Sequence, residues 1–174
     1  MNLYLRLIYV LWKIWRLPVK GVLEESRVPF RVLPTDCDVN FHMNNGRYLS
    51  LMDLGRVHMV AQIGLLPIIV RRRWMLVLAA AEINFIRQLA PFRRFELVTR
   101  LVTWDDKYAY MEQRFESGDV LCAHAFVKGL FLEKGGRISN SAVVAELGYT
   151  GEAPPFPEEL RIWAEMGNVK KQNA

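Results

Sequence analysis

The run DCDVNFHMNNGRY, from Asp36 to Tyr48, holds the densest set of chemically competent side chains in the sequence. Asp38 offers a carboxylate that can take a proton from water or attack a carbonyl carbon. His42 can orient water or donate a proton to a leaving group. Asn40, Asn44 and Asn45 add short amides. Cys37 lies between two acids, which raise a thiol pKa, so it is a poor nucleophile. The same residue types also build turns and helix caps, because Asp and Asn bond nearby backbone groups. His42, His58 and His124 do not have the spacing of a ligand set, so neither a metal nor a cofactor is expected. Cys37 and Cys122 make neither a disulfide framework nor a zinc spacing, which fits a reducing compartment.

The elements around this run must hold it. Arg27–Leu33 is a β-prone run ending at Pro34, and Thr35–Asn45 is a polar loop. Gly46–Gly64 has helical spacing, with Tyr48, Leu51, Met52, Gly55 and Met59 on one side. Asn44 or Asn45 is the N-cap, and Gly64 the stop. After a basic loop, Arg71–Arg73, four β-like stretches follow: Trp74–Gln88, Phe95–Trp104, Lys107–Glu116 and Val120–Glu133. Asp105-Asp106 and Ser117–Asp119 are short connections, which imply antiparallel hairpins. Ser139–Leu147 and Pro157–Met166 are candidate short helices. One strand, one helix and four long strands describe an α+β domain, with the early helix covering the apolar face of the sheet. The expected organisation is an N-terminal helix over 1–20, a domain over 21–150 and a C-terminal extension with a short helix over 151–174.

Charge divides unevenly along the 174 residues. Lys and Arg total 23 against 18 acids, a net charge of +5. Arg6, Lys13, Arg16 and Lys20 supply four of those charges, and residues 1–20 hold no acid. The rest is near neutral and carries no basic stripe for nucleic acid. The composition, 52% apolar and 24% charged, excludes a disordered tail protein. At 100° per residue the four basic residues of the N-terminal segment share one arc, with Leu and Trp on the rest, and Pro18 stops the helix. Two placements are open: a membrane interface, or docking on the domain or a sister subunit. The longest uncharged run there, Leu7–Trp12, is too short to span a bilayer, and no signal-peptide cleavage site follows.

On these residues the sequence resembles the hot-dog thioesterases. The D-x-D followed by Tyr48 is similar to the 4-hydroxybenzoyl-CoA thioesterase group, and D-x-N-x-H-M-N-N-x-x-Y to the acyl carrier protein thioesterases. VLPTDCDVNFHMNNGRYLSLMDLGR and LVTWDDKYAYMEQRF resemble the thioesterase superfamily member six group most. The resemblance implies a curved antiparallel sheet wrapped around one long central helix, paired as a homodimer or homotetramer. By position it makes Asp38 the nucleophile or general base and the Asn45 backbone N–H the group that polarises the carbonyl. It gives Asn40 and His42 assisting roles and Tyr48 a packing and positioning role. Asp53 falls where relatives carry an acid, which fits a dimer interface. Where some members hold coenzyme A phosphates with paired arginines, this chain has Trp104-Asp105-Asp106-Lys107, and only Lys107 keeps the charge. Arg71–Arg73 or Arg93-Arg94 are the substitutes.

The expected function is acyl thioesterase action on an acyl-CoA or acyl-carrier-protein thioester, in the cytoplasm, with peripheral contact to the inner face of a membrane through residues 1–20. A hydratase on the same fold is the less favoured reading, because His42 lies four residues after Asp38 rather than five and no Pro follows Asn40. A non-catalytic lipid-binding protein and a plain interaction domain are the others.

Overall fold

The computed structural model describes residues 2–14 and 18–172, with side chains from 3 to 14 and 18 to 167. The elements in order are α1 (Asn2–Ile14), β1 (Ser26–Arg31), a 3-10 turn (Pro34–Asp36), α2 (Asn45–Gln62), α3 (Leu65–Arg72), β2 (Met75–Phe85), β3 (Arg94–Trp104), β4 (Ala109–Ser117), β5 (Val120–Glu133), β6 (Gly136–Ile138), α4 (Asn140–Ala145) and α5 (Glu158–Gln172). The strands form one antiparallel sheet in the order β1-β3-β4-β5-β2, with β6 paired to β5. The sheet curls around α2, which gives the α+β hot-dog fold expected from the resemblance.

The α2 helix is the core's axis. Tyr48, Leu51, Met52, Gly55 and Met59 are all buried, as their spacing predicts. They face Leu97, Met111, Phe115, Ala125 and Val127 on the concave side of the sheet. Gly55 permits the closest approach: a β-carbon there would lie 2.7 Å from Leu97 Cδ2 and 2.8 Å from Thr99 Oγ1. Beside this contact, Gln113 is fully buried and fully used. Its amide donates to the Met52 carbonyl and to Thr99 Oγ1, and accepts from Arg56 Nη1, each at 3.0 Å.

Two local readings differ from the sequence expectation. Arg71–Arg73 is not a loop, since Arg71 and Arg72 close α3. Gly64, at φ +80°, both ends α2 and precedes α3, and the two helices meet at a 95° bend. The C-terminal helix is longer than Pro157–Met166, running from Glu158 to Gln172. Leu160 and Ala164 of α5 bury against Tyr108 and Tyr110 on the convex face of the sheet. For α1, left between a membrane interface and docking, the structure packs the helix against α2. Val10 and Arg6 are buried, Lys20 Nζ donates to the Glu25 carbonyl at 2.6 Å, and Arg16 lies outside the described residues. The outward face is apolar, with Tyr4, Leu5, Ile8 and Trp12 each more than half exposed. No single helix among the described residues is long and apolar enough to cross a membrane.

The rest of the convex face carries an ion network. Arg114 bonds Glu25, Glu112 and Glu116, Arg27 bonds Glu25, Glu96 and Glu116, and Glu112 also takes Arg100 and His124.

Candidate active site

The polar loop is anchored at several points. Val32 donates to Arg93 O, Met43 to Leu89 O and Asn44 to Asp36 O, each at 2.9 Å. Cys37 and Met43 pair as an isolated bridge, so residues 38–42 project as a small hairpin. Its tip exposes Val39 and Phe41, and Phe41 takes a left-handed φ of +57°.

Asp38 sits inside the hairpin base. Its Oδ1 accepts the Asn40 N–H at 2.9 Å and lies 3.9 Å from His42 Nδ1, while Oδ2 lies 3.5 Å from Asn44 Nδ2. About a quarter of the side chain remains exposed, so the carboxylate is partly ordered by donors yet reachable. Asn44 is the N-cap of α2, and its Oδ1 accepts the Gly46 N–H at 2.9 Å. The Asn45 N–H makes no hydrogen bond among the described residues and opens the 18-residue α2. A bare N–H at a helix N-terminus, with the dipole behind it, favours negative charge. Asp38 and Asn45 thus join on one loop–helix junction, as expected.

Of the other expected site residues, His42 and Tyr48 stay with Asn45 around one recess, whereas Lys107 does not. His42 is half-buried, its Nδ1 3.4 Å from the Met43 carbonyl. Tyr48 packs between Phe85 and Phe115 at centroid distances of 5.0 and 4.8 Å, and burial pushes its hydroxyl up to about 12. It therefore shapes the site and remains protonated. The Asn40 side chain is exposed and makes no hydrogen bond among the described residues; its backbone does the work of holding Asp38. Cys37 matches its expectation, since burial and then the charges of Asp36 and Asp38 raise the thiol. Lys107 is not brought to the site within one protomer. The loop meets the start of β3 near Arg93, whereas Lys107 follows its end, about 30 Å along an 11-residue strand. Lys107 Nζ instead lies 5.0 Å from the Tyr108 ring centroid. Arg71 and Arg72 pair with Glu146, and Arg93 with Ser117. His58 is sealed in the core, with Nδ1 2.6 Å from Ser26 Oγ, and His124 lies on the convex face, so the three histidines occupy separate places.

A recess of about 340 Å³ opens beside the junction, lined by His42, Asn45 and Tyr48 from the loop and α2 and by Phe85, Ile86, Arg87 and Gln88 from the end of β2. The β2 contribution was not foreseen. Its only sequence signal is the exposed Arg-Gln pair closing an apolar strand. A second recess of about 300 Å³ lies further along the α2–β2 seam. Val57, Val60, Leu76, Val77 and Met111 line it, and Asp53 and Arg56 form an ion pair at its rim.

A family model described as thioesterase-like superfamily matches residues 32–164, which include the whole loop, α2 and the sheet beyond β1. The chain belongs to the thioesterase-like superfamily. Protein THEM6 of Xenopus laevis is 34% identical over 157 residues, 88% of this chain and 74% of that protein. Protein THEM6 of Drosophila melanogaster is 34% identical over 134 residues, covering 75% and 67%. Among solved structures, the probable thioesterase from Bartonella henselae superposes with a TM-score of 0.60 at 23% identity, covering 67% of this chain and 98% of that one. A Staphylococcus aureus protein in complex with CoA superposes at 0.62 and 14% identity, covering 81% and 94%. These two likenesses fix the superfamily's fold on this chain.

Proposed function

We propose that the chain hydrolyses an acyl thioester at the Asp38–Asn45 junction. The observation that carries this reading is a partly exposed carboxylate and an unbonded helix-terminal N–H on one loop–helix junction, in a member of a thioesterase superfamily; His42 and Asn45 line the recess there, and Asp38 stands behind them, 3.9 Å from His42, outside its lining. In the base mechanism, Asp38 takes a proton from water as the hydroxide adds to the thioester carbon. The charge that builds on the carbonyl oxygen is stabilised by the Asn45 N–H. The C–S bond then breaks, the electron pair leaves on sulfur, and the thiolate is protonated from His42 or water. In the nucleophilic variant Asp38 attacks first, and water cleaves the resulting anhydride. CoA is the favoured thiol carrier, supported by the CoA bound to the Staphylococcus aureus relative. Arg87, exposed at the recess, suits a phosphate better than Lys107 within one protomer. The apolar second recess suits the acyl chain.

The experiment is thiol release across an acyl-CoA panel with the wild type and Asp38→Asn. Asp38→Asn is expected to lose about 10²–10⁴-fold in kcat with its melting temperature kept. Full activity in that variant overturns the assignment.

Two assembly features accompany this reading. The β2 edge leaves Met75, Val77, Leu78 and Phe85 exposed, and an open apolar edge strand pairs readily with a second copy. A homodimer through β2 would border both recesses. The outward apolar face of α1 suits a lipid surface, with Tyr and Trp at the boundary, and this favours a peripheral membrane position.

A further inference from the structure

One basic residue of the N-terminal helix faces the protein itself. Arg6, on the second turn of α1, points into the body of the protein and is 8% exposed. Its Nη2 donates to Asp36 Oδ2 at 2.5 Å and to the Arg31 carbonyl at 2.9 Å, and the guanidinium lies 5.7 Å from the Phe30 ring centroid. One nitrogen therefore ties the last residue of β1 to the start of the candidate catalytic loop. Asp36 is 1% exposed. Its Oδ2 also accepts the Leu33 N–H at 2.8 Å, and Arg47 Nε lies 3.6 Å from Oδ1.

Asp36 in turn holds the reactive junction. Its carbonyl accepts the Asn44 N–H at 2.9 Å. Asn44 caps α2 immediately before the free Asn45 N–H, and its side-chain amide lies 3.5 Å from Asp38. Without Arg6, Asp36 keeps the Leu33 N–H and the more distant Arg47 but loses its nearest cation, so the buried carboxylate is less well compensated and is driven to shift. A shift of Asp36 strains the Leu33 bond to its side chain and the Asn44 bond to its carbonyl. The matched superfamily region begins at residue 32, so α1 lies outside it.

We propose that Arg6 is a positioning residue for the Asp38–Asn45 site, and that docking of α1 thereby holds the catalytic loop in register. This rests on the thioesterase reading for its effect on turnover but not for its effect on the loop. The outward face of α1 carries no part of this contact, so the helix can meet another surface while Arg6 stays in place.

The test uses the full chain as Arg6→Ala, Arg6→Lys and Val10→Ala. Val10 is a control, fully buried on the same helix and carrying no charge or hydrogen-bonding side chain to offer Asp36. Hydrogen exchange read by mass spectrometry on residues 33–45 is the activity-independent arm. Arg6→Ala is expected to speed exchange there by about tenfold while β4 and β5 keep their protection, and Val10→Ala leaves the loop unchanged. In the kinetic arm, with the best substrate of the panel, Arg6→Ala is expected to lower kcat about tenfold with KM within about twofold. Arg6→Lys recovers part of that loss. Unchanged loop exchange in Arg6→Ala overturns the proposal, as does a kcat loss that merely follows melting temperature in both Arg6→Ala and Val10→Ala. If Arg6→Ala does not fold, Arg6→Lys is combined with Asp36→Asn. Additive effects on loop exchange then overturn the proposal, and strong non-additivity supports it. Faster loop exchange in a protein that cleaves nothing on the panel would retain Arg6 as the loop's anchor and refute the thioesterase reading alone.

Discussion

Replacing Gly55 by alanine adds one methyl group where α2 lies close against β3. That carbon would lie 2.7 Å from Leu97 Cδ2, 2.8 Å from Thr99 Oγ1 and 3.0 Å from Gln113 Nε2. Carbon atoms rest at about 3.5–4.0 Å, so α2 or its neighbours must retreat. Gln113 has little room to do so, because its amide bonds Met52, Thr99 and Arg56 at once. Overpacking of this kind costs about 1–3 kcal/mol. Losing one or two of the Gln113 bonds adds about 1 kcal/mol each. Alanine returns about 1 kcal/mol through its better helix propensity. The net expectation is a loss of about 1–4 kcal/mol, or about 2–16 °C in melting temperature for a chain of this size. Urea unfolding followed by far-UV circular dichroism, at fixed protein concentration, measures it. Gly135→Ala is the control, since no atom lies within 4 Å of a β-carbon there, and its change should stay within about 0.5 kcal/mol. A Gly55→Ala protein as stable as the wild type would refute the close-approach argument.

Acid should act on stability in two windows. Burial, with the charges of Lys13 and Lys20, holds His58 at about 4, so only the unfolded chain binds its proton between about pH 6.5 and 4, and stability falls as pH drops through that range. His58→Gln should flatten this limb of a urea-midpoint profile; an unaltered slope would sink the assignment. Burial opposes ionisation of Glu112, but His124, Arg100 and Arg114 outweigh it and hold the carboxyl at about 2. Its stabilisation, on the order of 2–3 kcal/mol, is full above about pH 4.5 and lost towards pH 2, and Glu112→Gln should remove it. Val77→Lys on the exposed β2 edge should halve the mass seen by light scattering, and a wild type already monomeric would remove the dimer. Ile8→Glu with Trp12→Glu should abolish flotation on anionic liposomes, and equal flotation would discard the lipid contact of α1.

Much of the site was legible because it is local. The spacing of Asp38 and Asn45, the Asn44 cap and the buried face of α2 all follow from consecutive residues obeying turn, cap and helix periods. The alternation of β3 was readable only as far as Leu101. A bulge between Leu101 and Thr103 shifts the register, so Leu101 and Trp104 both join the core although they lie three residues apart. Helical periodicity in α1 showed that its basic residues share an arc. It could not say which side of that arc meets the protein, because both sides are amphipathic by the same count.

The sequence by itself determined the Asp38–Asn45 junction as the candidate site and the elements that hold it, since hydrogen bonds and side-chain periods act over a few residues. Only the tertiary structure decided what surrounds that junction. Sheet order carries the end of β2 to the recess and leaves Lys107 at the far end of β3. Helix docking turns Arg6 inward to a carboxylate 30 residues away. These pairings depend on strand register and on the side of a helix that happens to be buried, which are properties of the packed chain rather than of any short stretch within it.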